Sequence, residues 1–328
     1  MHQNRIINNT PVHPIGLGCM NLSHAYGTPP DEQTAINFLH QAIDLGYNHF
    51  DTATLYGFGA NETLVGKALK KHRSHIFLAS KCGMGGVNGK RVIDGRPETL
   101  ICQADESLQR LQTDVIDLYY LHRRDKNVPI EESVGALSRL VEQGKIRAIG
   151  LSEVSADTLE KAHAVHPIAA VQTEYSLWTR NPEIAVLDKT RELGIAFVAF
   201  SPIARGFLGN LRDITALEEK DIRRPMPRFS AENYPANLQL RDQLQTLADE
   251  AGCTAAQLGL AWLLAQSDHI LPIPGTTHPQ HLADNIAAAD LNIAADVLQQ
   301  AGELINQHSV KGARYPAATQ TEIDTEEF

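Results

Sequence analysis

The feature that most constrains the fold is an alternation of short apolar segments with longer amphipathic ones, which continues nearly from end to end of the 328-residue chain. The short segments are rich in β-branched residues and have the length of buried strands. Eight of them begin at Ile15, Tyr47, Ile76, Val115, Ile146, Ala169, Ile195 and Ile270. Because strands that are apolar on both sides are typical of parallel sheets covered by helices, the alternation predicts a repeated βα unit.

The segments between the strands carry the start and stop signals of helices. Residues 29–46 begin with prolines and acids, show one apolar face and end at a glycine. Residues 97–112 and 129–145 repeat this design. Eight such units predict closure into a (β/α)8 TIM barrel, with an open doubly wound sheet as the main alternative. No linker rich in Gly, Ser and Pro divides the chain, so we expect residues 1–328 to form a single domain.

Four segments fall outside the repeat. Residues 5–14 are expected to pair as a short N-terminal hairpin, and the glycine-rich residues 82–90 to form a mobile loop. Residues 208–237 are long for a loop, which predicts a lid at the C-terminal face of the barrel. The acidic tail, residues 319–328, is expected to fray.

The composition excludes several classes of protein. A formal net charge of −10 argues against a general nucleic-acid or membrane-surface binder. The four cysteines form no C-x-x-C pair, which argues against a zinc site and fits a reducing compartment. No signal-peptide region or membrane-length apolar run is present. We therefore expect a cytoplasmic protein with no nucleic-acid or membrane partner, and nothing in the sequence indicates its oligomeric state.

Ionisable residues occur at the predicted ends of neighbouring strands. Asp51 ends the second strand, Lys81 the third and His122 the fourth, while Tyr56 follows on the loop after Asp51. The C-terminal strand ends of a βα barrel meet at one mouth, so these side chains are expected to gather there. A buried carboxylate such as Asp51 costs several kcal/mol unless a cation or donors compensate it, and Lys81 is the available cation.

This set can protonate a carbonyl oxygen. We expect Asp51 to keep Lys81 charged, and the ammonium to lower the pKa of Tyr56 from its ordinary value of about 10, which makes the phenol a usable proton donor. His122 can orient the substrate oxygen. Taken singly, a lysine or histidine at a strand end is more often solvated or locally bonded, and Tyr56 could be a packing residue.

Hydride from a cofactor is the chemistry that the set implies, because no activated serine or cysteine lies near these strands. No G-x-G-x-x-G follows the first strand, which argues against a Rossmann dinucleotide site. A metal hydrolase using Asp51 and His122 is the alternative enzyme class, but no H-x-H pair ends a strand, and no metal is expected.

Seven segments that follow one another through nearly the whole chain resemble the successive signatures of the aldo-keto reductase superfamily. They are FDTATLYGFGANETLVGKAL, IFLASKCG, YYLHR, GKIRAIGLSEVS, VQTEYSLWTR, AFSPIARGFL and IPGTTHPQHLADN. The resemblance implies an NAD(P)H-dependent oxidoreductase that reduces aldehydes or ketones to alcohols. It also implies a catalytic tetrad of Asp51, Tyr56, Lys81 and His122, which agrees with the set inferred above.

The same resemblance implies a binding site for NADP(H). Ser152 and Gln172 would hold the nicotinamide carboxamide, and Phe200 would stack on the ring. The pyrophosphate would contact Ser201, Ile203, Arg205 and Leu208, and the adenosine end would contact Gly275, Thr276, His278, Asp284 and Asn285. Alternatively, the last two residues only cap or decorate a helix.

Two positions depart from the pattern of the superfamily. Thr277 and His278, with His281 one turn later, stand where relatives commonly have Lys or Arg for the 2′-phosphate. A neutral histidine lacks the charge of a guanidinium, so we expect an NADPH preference that weakens at high pH, with NAD(H) as an alternative cofactor. Glu153 stands where many relatives have Asn; it can accept from the carboxamide but cannot donate to it.

The substrate pocket is less well defined by the sequence. Met20, Tyr26, Phe58, Arg123 and Trp178 follow strand ends, and Trp178 is the one we predict to contact substrate, although it could instead pack under the lid. An aromatic and apolar rim indicates small aldehydes or ketones. The alternative function is a cofactor-binding regulatory subunit with little turnover, like the channel-associated relatives of this superfamily.

Overall fold

A computed structural model describes residues 3–87 and 90–328. Its strands are β1 Arg5–Ile7, β2 Thr10–Val12, β3 Leu17–Gly18, β4 His49–Asp51, β5 Phe77–Cys82, β6 Met84–Val87, β7 Lys90–Ile93, β8 Leu118–Leu121, β9 Ile149–Ser152, β10 Ile168–Glu174, β11 Ala196–Phe200 and β12 Ile270–Pro272. Its α-helices are α1 Glu32–Asp44, α2 Ala60–Leu69, α3 Pro97–Leu111, α4 Ile130–Glu142, α5 Ala156–Val165, α6 Val186–Glu192, α7 Tyr234–Glu250, α8 Ala255–Gln266, α9 Pro279–Ala287, α10 Ala295–Leu304 and α11 Ala317–Gln320.

Eight of these strands form one parallel sheet in the order β3-β4-β5-β8-β9-β10-β11-β12. The first and last strands of this order are joined by two backbone hydrogen bonds, from Gly16 N to Pro272 O at 3.0 Å and from Gly18 N to Pro274 O at 3.2 Å. The sheet therefore closes on itself. This confirms the predicted (β/α)8 TIM barrel over the open sheet, and every predicted strand segment overlaps one of the eight strands.

The N-terminal hairpin predicted over residues 5–14 is present as the antiparallel pair β1 and β2. Its Arg5 side chain donates to Leu264 O at 2.6 Å and to Ser267 O at 2.7 Å, near the C-terminal end of α8. The last carbonyls of a helix lack partners within the helix, so Arg5 satisfies groups that burial would otherwise leave unpaired. The hairpin thereby covers the end of the barrel where β12 begins.

Helix α1 shows why the amphipathic segments fold as predicted. The Asp31 side chain accepts from Thr34 N at 3.0 Å as the N-cap, and Gly46 follows the end of the helix with φ +100°. The buried face of the helix consists of Ala35, Phe38, Leu39 and Ala42. A stripe with this spacing packs the helix on the outside of the barrel.

The strands of the barrel are apolar on both sides because each side contacts a different core. Leu78 belongs to the cluster between sheet and helices, whereas its neighbours Phe77 and Ala79 belong to the cluster inside the barrel. The inner cluster is rich in alanine, including Ala148, Ala170 and Ala196. With both faces packed, the polar side chains that carry chemistry are concentrated at the strand ends.

Residues 208–233 form turns and short 3-10 segments, as predicted for the lid, but α7 begins at Tyr234 within the predicted range. Glu218 accepts from Thr28 N at 3.0 Å, and Ile222 N donates to Ala25 O at 3.1 Å. The lid segment therefore contacts the loop that follows β3.

Two of the sequence-based expectations for segments outside the repeat were wrong. Residues 82–90, expected to be a loop, include β6 and the first residue of β7, and these two strands pair as a hairpin with Met84 opposite Ile93; residues 88 and 89 lie outside the described part of the chain. The acidic tail is packed on the barrel, where Asp324 accepts from Arg124 Nη1 at 2.9 Å and from Thr158 Oγ1 at 2.6 Å. None of the helices within residues 3–87 and 90–328 combines the length and apolar character that a bilayer crossing requires.

Candidate active site

The four predicted catalytic residues come together at the C-terminal mouth of the barrel. Asp51 is the last residue of β4, Lys81 lies near the end of β5, and His122 directly follows β8. Tyr56 begins a 3-10 turn on the loop after β4. Since β4, β5 and β8 are adjacent in the sheet, their ends present these side chains side by side.

Lys81 is the centre of this group. Its fully buried Nζ forms an ion pair with Asp51 Oδ1 and donates to Thr52 O at 2.8 Å and to Tyr56 Oη at 3.3 Å. The other Asp51 oxygen accepts from Gln172 Nε2 at 2.7 Å. Both oxygens of the buried carboxylate are thus compensated, and the same contacts fix the ammonium against the phenol.

Lys81 keeps its charge despite its burial. Burial alone lowers the pKa of Lys81, but the interactions with Asp51 and Tyr56 outweigh it, and the pKa lies above the ordinary value. The site therefore holds a fixed positive charge at neutral pH.

The pKa of Tyr56 is shifted in the direction opposite to our sequence-based expectation, upward instead of downward. Burial raises the pKa of Tyr56 above its ordinary value, and although Lys81 lowers it, Asp51 adds to the rise. The sequence revealed the ammonium but not the extent of desolvation, which is the larger effect. Tyr56 is therefore a protonated phenol at neutral pH, with an ammonium positioned to stabilise the phenolate that forms if the proton leaves.

His122 completes the group as a neutral imidazole. Its ring meets the ring of Tyr56 edge-on, with centroids 5.9 Å apart. Burial, followed by the charges of Arg123 and Lys81, holds the pKa of His122 well below its ordinary value. A neutral imidazole can donate one hydrogen bond to a substrate oxygen without adding charge.

A cavity of about 960 Å³ opens beside these residues, and Asp51, Tyr56 and His122 line it. All of the residues predicted to bind the cofactor also line it: Ser152, Gln172, Phe200, Ser201, Ile203, Arg205, Leu208, Gly275, Thr276, His278, Asp284 and Asn285. The cavity is long enough to join the catalytic group to the N-terminus of α9, so one elongated ligand can contact both ends.

The far end of the cavity carries polar groups suited to the adenosine half of a dinucleotide. Thr276 Oγ1 accepts from His278 N at 3.1 Å, and the rings of His278 and His281 lie 5.0 Å apart. Asn285 is buried, and its Nδ2 has no hydrogen-bond partner among the described residues. A buried amide without a partner fits a site for a ligand with acceptor atoms, as an adenine base has.

Arg205 is held by protein groups. Its Nη2 contacts Glu174 Oε2 at 2.5 Å and Tyr315 Oη at 2.9 Å, and its Nη1 lies 3.5 Å from Tyr26 Oη. It lines the cavity as predicted, but Glu174 already balances its charge. The Arg205 guanidinium, which the resemblance assigns to the pyrophosphate, is therefore already ion-paired within the protein.

Glu153 belongs to the same buried network. Its backbone has φ +56°, and its Oε1 accepts from Glu174 N at 2.9 Å and pairs with Arg314. Arg314 Nε also contacts Glu174 Oε2 at 3.1 Å, which ties the segment before α11 to β9 and β10. Arg314 and Tyr315 were missed by the sequence reasoning, because their segment follows α10 without any periodic pattern.

Trp178, the predicted substrate contact, does not line the cavity. It is 1% exposed, its ring centroid lies 4.0 Å from that of Phe207 and 5.4 Å from that of Phe229, and the Arg228 guanidinium lies over it. Trp178 therefore packs beneath the lid, which was the alternative to a substrate contact. Of the other rim candidates, Met20, Tyr26 and Arg123 line the cavity, whereas Phe58 is more than half exposed outside it.

Several cavity-lining residues were not foreseen, among them Asn21, His24, Arg91 and Glu322. Arg91 lies on β7, in a hairpin that the glycine-rich composition concealed, and it forms an ion pair with Glu322 of the tail.

Comparison with known proteins agrees with this geometry. Residues 14–306 match the sequence model of the Aldo/keto reductase family. The protein named Probable aldo-keto reductase 1 of Glycine max is 44% identical over 93% of this chain and 88% of its own length. An aldo-keto reductase of Schizosaccharomyces pombe whose name specifies NADP(+) is 42% identical over 97% of this chain and 96% of its own. The solved structure of a glycerol dehydrogenase from Gluconobacter oxydans superposes with a TM-score of 0.85 at 28% identity, covering 96% of this chain and 98% of that one.

Proposed function

Because the chain belongs to the aldo/keto reductase family, we propose that it reduces the carbonyl group of small aldehydes or ketones to the alcohol with NADP(H), and that Tyr56 is the proton donor. The observation that carries this proposal is the contact between Lys81 Nζ and Tyr56 Oη at 3.3 Å, with Asp51 paired to the same ammonium.

The protein side of the reaction follows from these contacts. A nicotinamide cofactor held in the cavity would supply hydride for the carbonyl carbon, and Tyr56 would donate its proton to the oxygen that becomes the alcohol. The Lys81 ammonium stabilises the phenolate that remains, while neutral His122 can donate a hydrogen bond to the same substrate oxygen. Because these groups are held before substrate arrives, little reorganisation is needed as the charge develops.

Residues at the ends of β9, β10 and β11 support a nicotinamide site next to Tyr56. Ser152 Oγ accepts from Arg123 Nη1 at 3.2 Å, so its hydrogen is available for the carboxamide oxygen. Gln172 lines the same cavity, and Phe200 offers an apolar face for the ring. At the other end, Asn285 would bind adenine. The S. pombe relative, whose name specifies NADP(+), supports NADP(H) as the cofactor.

Reduction of a reactive aromatic aldehyde, followed by the loss of NADPH absorbance, tests the activity. We expect Tyr56→Phe to bind NADPH as the wild type does and to lose at least about 100-fold in turnover, because only the donated proton is removed. Unchanged turnover in this variant would exclude Tyr56 as the acid. Tight NADPH binding by the wild type with no turnover of any carbonyl compound would instead support a cofactor-binding regulatory subunit.

A further inference from the structure

We propose that the carbonyl substrate carries a carboxylate, and that Arg123 binds it beside the catalytic tyrosine. This inference rests on the proposed reductase function, because it names the class of carbonyl compound that the same cavity receives. It concerns a residue outside the catalytic tetrad and outside the predicted cofactor contacts.

The first observation is the pairing of the cationic side chains around the cavity. Its arginines are Arg91, Arg123, Arg205, Arg223 and Arg241. Four of them have carboxylate partners: Glu322 for Arg91, Glu174 for Arg205, Asp221 for Arg223 and Asp242 for Arg241. Among the residues that the structure describes, no carboxylate pairs with Arg123. Its charge is therefore available to a ligand.

The second observation is the position of Arg123. It follows His122 directly at the end of β8, and its two hydrogen bonds within the described chain both come from Nη1, to His122 O at 2.7 Å and to Ser152 Oγ at 3.2 Å. Both acceptors are neutral, so they orient the guanidinium without balancing its charge. Arg123 is close enough to the catalytic group that its charge lowers the pKa values of His122 and Tyr56.

A carboxylate is the ligand that these conditions favour. A partly buried cation loses hydration and is stabilised by an anion that shares its environment. A guanidinium can form two parallel charge-assisted hydrogen bonds to a carboxylate, which fixes both the position and the direction of the bound group. Arg91 adds positive potential at the same mouth, although its pairing with Glu322 reduces this effect. The carboxylate of the tetrad, Asp51, is bound to Lys81 and Gln172, so its charge is compensated.

A matched pair of substrates tests the inference with the full-length protein and NADPH. The pair is 4-formylbenzoate and its methyl ester, which have the same aromatic aldehyde and differ in the charged group. We expect wild type to prefer the acid at least about tenfold in kcat/KM, since a charge-assisted bidentate contact is worth that much or more. Arg123→Gln should reduce the ratio between acid and ester at least about tenfold, mainly through KM of the acid, and Arg123→Lys should restore part of it.

The matched control is Arg139→Gln on the exposed face of α4, which removes the same charge away from the cavity. This variant should keep the wild-type ratio. A wild type without preference for the acid would overturn the inference. If Arg123→Gln lowered kcat/KM equally for the acid and the ester, the inference would also be overturned, because Arg123 would then act only by positioning His122 and Ser152.

A binding measurement separates this inference from the proposed function. Calorimetric titration of benzoate into the protein saturated with NADP+ needs no turnover, and we expect binding to weaken at least about tenfold in Arg123→Gln. Equal affinities in the two proteins would overturn the anion site even if aldehyde reduction is fast. If benzoate binds through Arg123 but neither aldehyde is reduced, the reductase proposal fails while the anion site stands.

Discussion

The candidate active site contains a buried carboxylate and a buried ammonium, Asp51 and Lys81, that compensate each other. Asp51 accepts from Lys81 and Gln172, so its carboxylate is stable in the barrel interior and at the same time holds the ammonium against Tyr56. One ion pair thus meets the structural requirement to balance a buried charge and, in the proposed reaction, the chemical requirement to stabilise a phenolate on Tyr56. Loss of either partner should therefore affect stability and turnover together.

We expect Lys81→Met to lower the free energy of unfolding by about 3–5 kcal/mol, because it leaves the Asp51 carboxylate buried without its cation. Urea unfolding would measure this loss, and kcat should also fall. Lys67→Met is the matched control, since Lys67 pairs with Glu32 at 2.8 Å on the exposed faces of α1 and α2 and should lose about 1 kcal/mol or less. If both variants lost the same free energy of unfolding, a special role for the buried pair of Lys81 and Asp51 would be contradicted.

At the scale of single elements, helix α9 borders the far end of the cavity, where the adenosine half of the proposed NADP(H) cofactor would lie. His278 precedes Pro279 at its N-terminus, and His281 follows within the first turn, with the two rings 5.0 Å apart. Both histidines line this end of the cavity, whereas a lysine at either position would carry a full positive charge at neutral pH. The preference for a 2′-phosphate should therefore respond to a charge introduced at this helix.

We expect His278→Lys to raise the ratio of kcat/KM for NADPH to that for NADH, because it places a permanent positive charge where a 2′-phosphate would bind. Steady-state kinetics with both cofactors measure this ratio. His308→Lys, which adds the same charge at an exposed position away from the cavity, should leave the ratio as in wild type. An unchanged ratio in His278→Lys would show that this position does not contact the 2′-phosphate.

Elements with a local signal could be predicted from the sequence, and those built by distant contacts could not. The eight strands follow from their own apolar pattern, and α1 follows from its Asp31 cap and apolar stripe. The β6–β7 hairpin was missed because its glycines conceal the alternation of a strand. The tail was missed because Asp324 is held by Arg124 and Thr158, which are far away in the chain.

The same distinction applies within the site. The grouping of the four residues could be predicted because Asp51, Lys81 and His122 lie at or next to strand ends and Tyr56 follows on the loop after Asp51, and barrel closure brings strand ends together whatever the details of packing. The direction of the Tyr56 pKa shift could not be predicted, because it depends on how far all the residues at the mouth of the barrel together exclude water from the phenol. The packing of Trp178 beneath the lid likewise depends on Phe207 and Phe229, whose positions no local pattern reveals.

At the scale of the whole molecule, a buried ionic network connects the end of the chain to the barrel. Glu153 and Glu174 on the β9 and β10 side pair with Arg314 from the segment before α11, and Arg205 from the loop after β11 joins through Glu174. Four separate parts of the chain meet at these side chains, so their charge state should influence the stability of the entire fold.

The pH dependence of stability follows from Glu174. Burial raises the pKa of Glu174, but Arg205, Arg314 and Arg228 lower it more, to about 2 from an ordinary value of 4.5. A carboxyl group with a lower pKa in the folded than in the unfolded state stabilises the fold above its unfolded pKa, and this contribution is lost as the pH falls through the folded pKa.

Glu174→Gln should therefore be less stable than wild type by about 3 kcal/mol at neutral pH, and this gap in the free energy of unfolding should narrow between about pH 4.5 and about pH 2. Urea unfolding across this range measures the gap, with Glu142→Gln on the exposed end of α4 as the control for loss of one acidic group. A gap that stayed constant down to pH 2 would mean that the loss in Glu174→Gln comes from packing alone, and that the charge of this carboxylate does not hold the C-terminal segment to the barrel.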